Sequence, residues 1–123
     1  MMSIRIIKKP ITRGTLREIA KERFGDLIKV VVDTNQEIMA VGGELHVDME
    51  TLLMEKENSS REYTWGINLY PDNFGDDFVE FDSMVNLKPA LNNRTRNVDN
   101  PEIRKKINAI VKNLILDNES ASS

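Results

Sequence analysis

From Tyr63 to Tyr70 the side chains alternate. Trp65, Ile67 and Leu69 fall on one face of an extended chain, Thr64, Gly66 and Asn68 on the other, and Pro71 ends the run. Later in the chain the period changes. Ile103, Ile107, Ile110, Val111 and Leu114 recur at helical spacing behind an Asn100-Pro101-Glu102 start, in which Asn100 caps, Pro101 opens the first turn and Glu102 faces the positive end of the dipole. A chain of 123 residues with both periods must pack amphipathic helices on a half-buried sheet, and at that length it needs one core.

The remaining segments fill in an order. Ser3–Ile7 reads as a short strand. A helix follows with Thr12 as N-cap, Leu16, Ile19, Ala20 and Phe24 on its apolar side, and Gly25 as a left-handed stop. Leu27–Asp33 and Glu37–Val41 read as a hairpin broken at Thr34-Asn35-Gln36. Glu44–Asn58 is ambiguous; the reading taken is a strand end to Val47 and then a helix from an Asp48 cap to Glu55. Phe78–Leu87 alternates again and is expected to pair antiparallel with Tyr63–Tyr70. The expected class is α+β, a mainly antiparallel sheet of about five strands with three helices in the order β-α-β-β-α-β-β-α, the helices on one side of the sheet. Residues 1–116 form a single domain in this reading, and 117–123 have the composition of a disordered tail.

The chain contains no cysteine, which removes disulfides, thiolate chemistry and cysteine-held metals and fits a cytoplasmic setting. No cofactor is implied. The apolar runs are too short for a signal peptide or a membrane span. Residues 1–36 carry eight basic and four acidic side chains, 37–82 two and twelve, and 83–123 seven and four, so the middle of the chain is acidic and the ends basic. With a pI near 5.2, non-specific coating of DNA is not expected.

Two constellations carry possible chemistry. Arg94 and Arg96, with Asn93 and Asn97, stand just before the helix start at Asn100. Guanidinium groups grip phosphate or carboxylate bidentately, and a helix N-terminus offers unpaired amides, so this loop can bind an anionic small molecule, a nucleotide or RNA. The structural alternative is that an arginine pairs with Asp82 or Glu80. His46, the one histidine, can serve as an acid or base oriented by Asp82 or Glu44, which would make a small hydrolytic enzyme on a phosphate-containing substrate. On a strand Glu44, His46 and Asp48 would share a face, but a histidine without a second histidine or a cysteine is poor ground for a metal site. A third reading is a homo-oligomerisation or partner-binding domain using the strand edge near Ser3–Ile7 and the methionines Met49 and Met54.

The phrases "IMAVGGELH", "WGINLYP" and "FDSMVNLKP", followed by "NR" and "EIRKKI", resemble a small family of prokaryotic proteins described as a domain of unknown function. The resemblance runs from about Ile6 to Leu116. It implies a bacterial or archaeal cytoplasmic domain, and it assigns no reaction and no functional residue.

Overall fold

The computed structural model describes residues 4–117. In chain order the elements are β1 (Arg5–Ile7), β2 (Ile11–Thr12), α1 (Arg13–Lys21), β3 (Ile28–Asp33), β4 (Ile38–Val41), α2 (His46–Glu57), β5 (Thr64–Leu69), β6 (Val79–Glu80), α3 (Pro101–Leu114) and β7 (Ile115–Leu116). Five strands form one antiparallel sheet ordered β1-β4-β3-β5-β6, and β2 pairs with β7 in parallel as a separate ribbon. The α+β class and the three helices are as expected. Ser3 and the tail from 118 on lie outside the described residues, and Asp117, read as the start of that tail, accepts hydrogen bonds from Arg13 at 2.7 and 2.9 Å.

The helix caps follow the local sequence. Thr12 accepts from the Thr15 amide at 3.1 Å, and Asn100 accepts from the Glu102 amide at 2.9 Å. The first helix ends at Lys21, earlier than the expected stop at Gly25; a turn follows, and Gly25, at φ +91°, closes it by sending its amide back to the Ala20 carbonyl at 2.8 Å. Asp33 closes the β3–β4 turn by accepting from the amides of Asn35 (2.8 Å) and Gln36 (3.1 Å), and it ties in the Ser59 hydroxyl at 2.6 Å.

Three expectations are corrected. Helices cover both faces of the sheet, not one. α1 and α3 pack Leu16, Ile19, Ile107, Ile110 and Leu114 on Val30, Val32, Met39, Trp65 and Ile67, while α2 sets Met49 and Leu53 on Val31, Ile38 and Ala40 from the other side. The cause is visible in Val30-Val31-Val32 and in β4, whose four residues are all buried. Strands apolar on both faces need two covers. Met49 is therefore core and not a partner surface.

The second correction concerns Glu44–Asn58. No strand reaches Val47. β4 ends at Val41, the chain turns at Gly42 (φ +94°), and helix begins at His46 with Leu45 as N-cap. Asp48 falls inside the first turn, and no side chain caps this helix. The alternating face of Glu44, His46 and Asp48 does not exist, because residues two apart on a helix point apart.

The third correction is in Phe78–Leu87. Pairing with β5 lasts two residues, Asn68↔Glu80 and Leu69↔Val79. The chain then leaves the sheet through single helical turns at Met84–Asn86 and Pro89–Leu91. The Asn86 side chain replaces the missing strand. Its Oδ1 accepts from the Gly66 amide at 2.7 Å, and its Nδ2 donates to the Gly66 carbonyl at 2.9 Å and to the Arg96 carbonyl at 2.8 Å. Gly66 permits this closeness: a Cβ there would stand 2.5 Å from Ser83 and 2.9 Å from Val85. Among the described residues no helix is long and apolar enough to cross a membrane.

Candidate functional site

At the end of the sheet where β3 begins and β5 ends, α2 leaves part of its face uncovered. Three residues stand in a row there, one per strand: Lys29 on β3, Asn68 on β5 and Glu80 on β6. All lie on the α2 side, because Val30, Ile67 and Leu69 face the other core. Asn68 is 8% exposed; its Nδ2 donates to Glu80 Oε1 at 2.9 Å, and its Oδ1 is buried with no hydrogen-bond partner. Tyr70 donates its hydroxyl to the same Glu80 oxygen at 2.9 Å. Burial, the bond to Glu80 and the nearby carboxylates raise the Tyr70 pKa, so the phenol stays a donor. Lys29 sits 5.2 Å from the centre of the Phe24 ring and has no carboxylate partner among the described residues.

His46 opens α2 beside this row. Its Nε2 is 2.8 Å from the Ile67 carbonyl oxygen. A carbonyl only accepts, so Nε2 carries the proton and the neutral ring has a bare Nδ1. Burial pushes the His46 pKa down; the Ile67 carbonyl opposes this, Lys29 and Arg96 add to it, and Asp82 opposes it. The charges of Asp82 and Arg96 thus act on the ring in opposite senses. The two side chains are bonded to each other, Arg96 Nε to Asp82 Oδ1 at 2.7 Å. The amides of the first turn of α2 lack a side-chain acceptor.

The depressed His46 pKa sets a pH dependence. Unfolded, the ring titrates near its ordinary value of 6.5; folded, it titrates lower. Between those values the unfolded chain binds more protons, so stability is full above about pH 6.5 and falls as the pH drops through that window. His46→Gln is expected to flatten the fall of the melting temperature between roughly pH 7 and pH 5. An unchanged slope would remove His46 from this role.

Of the residues singled out from sequence, Arg96 pairs with Asp82, which is the structural alternative raised for it, and His46 bonds the Ile67 carbonyl and neither of those two. The others have different partners. Glu44 faces Arg23 at 3.6 Å. Asn93 is buried and holds its own loop, donating to the carbonyls of Asn86 and Asn97 at 2.7 Å each and accepting from the Asp99 amide at 2.7 Å. Asn97 accepts from the adjacent Val98 amide at 2.7 Å. Arg94 is exposed and has no partner among the described residues. The α3 N-terminus, where these donors were expected to converge, is already capped by Asn100. Lys29, Asn68, Tyr70 and Glu80 were not anticipated. The signal was present, since Asn68 and Glu80 occupy the polar faces of two runs expected to pair, but reading them as neighbours requires the register.

Chemically, the face combines acceptors (Asn68 Oδ1, Glu80, His46 Nδ1) with cations (Lys29, Arg96) and free helix amides. Among the described residues no group of three or more His, Cys, Asp or Glu is placed to hold a metal ion. Among the described residues His46 bonds no carboxylate, and Asp82 is engaged by Arg96.

These features define an α+β domain with a mixed-charge, hydrogen-bonding face at one end of an antiparallel sheet. Residues 5–114 match the family described as "Protein of unknown function (DUF5674)", and the chain belongs to that family. Comparison with curated proteins and with solved structures gave no match.

Proposed function

We propose that this domain is a binding module for a small hydroxylated ligand that carries a phosphate group. The observation that carries the reading is the Asn68 Oδ1 acceptor, buried and unpaired beside Lys29, His46 and Glu80. A buried acceptor without a partner costs about 1–3 kcal/mol, and a ligand hydroxyl offsets that cost. The anionic group goes to Lys29, the outer nitrogens of Arg96 and the uncapped amides of α2. Arg96 was expected from sequence to bind an anion beside the α3 terminus; in this reading it would do so beside α2, with Asp82 holding its Nε and leaving the outer nitrogens for the ligand. The cysteine-free composition is consistent with a cytoplasmic location.

A hydrolytic role has weaker support. His46 spends one nitrogen on a backbone carbonyl, and the nearest carboxylate is held by an arginine.

Calorimetric titration with glycerol 3-phosphate and with ribose 5-phosphate tests the reading. The native chain is expected to bind at least one of them. Asn68→Leu and Lys29→Gln are each expected to weaken that binding about tenfold, the equivalent of one charge-assisted hydrogen bond. Equal affinity in both variants, or no binding by the native chain, would overturn it.

A further inference from the structure

A separate cleft lies elsewhere. It measures about 670 Å³ and runs between α3 and the Phe74–Phe81 stretch. None of Lys29, His46, Asn68, Tyr70, Glu80 or Asp82 lines it. Its volume is in the range of small-molecule sites.

One wall is aromatic and built rigidly. Arg13 is 4% exposed, and its guanidinium lies 4.4 Å from the Phe74 ring centre and 4.0 Å from that of Phe78. It also donates to the carbonyls of Pro71 and Asn73 at 2.9 Å each and to Asp117. Those bonds fix the turn that presents Phe74, so little order has to be gained on binding. The opposite wall is a stripe on α3. Arg104, Asn108 and Lys112 recur every fourth residue and so share one side of the helix. Arg104 donates NH1 to the Val98 carbonyl at 2.6 Å and meets no carboxylate, and Lys112 has no partner among the described residues. Of the acidic groups in the lining, Asp117 is taken up by Arg13, and Asp76 remains.

An apolar ring surface faces two cations without a carboxylate partner among the described residues, Arg104 with one nitrogen on the Val98 carbonyl, across a small-molecule-sized gap. We propose that this cleft is a second binding site, for a molecule that joins a planar aromatic ring to a single anionic group. The ring packs on Phe74 and the neighbouring apolar wall; the anion pairs with Arg104 and Lys112. The anionic group is a carboxylate or a phosphate, and two probes separate these. AMP supplies a nucleoside phosphate and 2-naphthoate an aromatic carboxylate.

Each probe is titrated into the 15N-labelled full chain and followed by amide shifts. Binding is expected to move the amides of Arg104–Lys112 and of Phe74. Arg104→Gln with Lys112→Gln is expected to weaken binding at least tenfold, and Phe74→Ala severalfold with the melting temperature nearly unchanged, since Phe74 is 60% exposed. Arg94→Gln, an exposed charge outside the cleft, controls for general electrostatics and is expected to have no effect. AMP binding alone marks the anion as phosphate, and naphthoate binding alone as carboxylate. Failure of both probes to bind, or binding that the two cleft variants leave intact, would overturn the proposal. Both outcomes are read from the amides of Arg104–Lys112 and Phe74, so AMP bound at the Asn68 face, seen by the Asn68 and His46 signals, is scored separately and counts neither for nor against the cleft.

Discussion

Gly66→Ala is expected to destabilise the domain by about 3–5 kcal/mol, the sum of overpacking and of lost buried hydrogen bonds. The added methyl would stand 2.5 Å from the Cβ and Oγ of Ser83, a residue that is 1% exposed and cannot swing aside. The segment from Ser83 to Asn86 has to lift. Asn86 then loses its two bonds to Gly66, and the carbonyl and amide of a central strand are left unpaired. The damage is expected to spread to the candidate site, because Arg96 is anchored to that segment through Asn86 Nδ2 and through the Ser83 amide at 3.0 Å. Thermal unfolding measures the first effect. A melting temperature within a degree or two of the native value would show that the close approach is not what holds this segment.

Lys88→Met ranks second, at about 1.5–3 kcal/mol, the cost of taking from a buried carboxylate its one buried cation while Thr64 and Arg61 remain. The Glu50 and Lys88 side chains are 2% and 5% exposed and 3.8 Å apart. Lys88 also donates to the Val85 carbonyl at 2.7 Å and lies 5.1 Å from the centre of the Trp65 ring. Burial lowers its pKa, the Glu50 charge works against that and Arg61 adds to it. Without Lys88, Glu50 keeps the Thr64 hydroxyl at 2.6 Å and the exposed Arg61 at 3.4 Å. Replacing both partners, Glu50→Leu with Lys88→Met, is expected to cost less than Lys88→Met alone, because no buried charge remains; Thr64 still donates to the Arg61 carbonyl. Denaturant unfolding of the single and double variants decides this. A double variant less stable than the single one would mean that packing, not charge, gives Lys88 its weight.

The parts of this fold that sequence makes legible are those specified by neighbours in the chain. The α3 start at Asn100-Pro101 depends on residues one or two apart, and the left-handed turn at Gly25, four residues past the end of α1, closes on Ala20 five residues back. The Asp33 turn is equally local. α2 fails that condition. Its first residues suit strand or helix, and its boundary is set by where β4 runs out of partners and by Met49 and Leu53 finding the second face. The stretch after Glu80 alternates as a strand should, yet Asn86 and Ser83 dock on Gly66 and end the pairing. A side-chain amide substituting for a ladder step leaves no periodic trace.

The site divides the same way. His46, Asp82 and Arg96 are conspicuous by residue type. The Arg96–Asp82 pair and the seating of His46 on the Ile67 carbonyl join residues 14 and 21 positions apart, and neither is local. Asn93 and Asn97 stood out for the same reason of type, and both serve the loop itself. Asn68 drew no attention as one polar residue on an alternating strand. Only the burial of its Oδ1 without a partner makes it notable.

The side-chain amide of Asn68 is the most direct reporter of the central claim, since its two protons and the backbone amides of His46, Val47 and Asp48 are resolved in one 15N–1H spectrum. Addition of glycerol 3-phosphate is expected to shift the Asn68 side-chain pair and these three amides together, with a single saturation curve. Saturable shifts elsewhere, with those signals unmoved, would place the ligand away from this face and contradict the account.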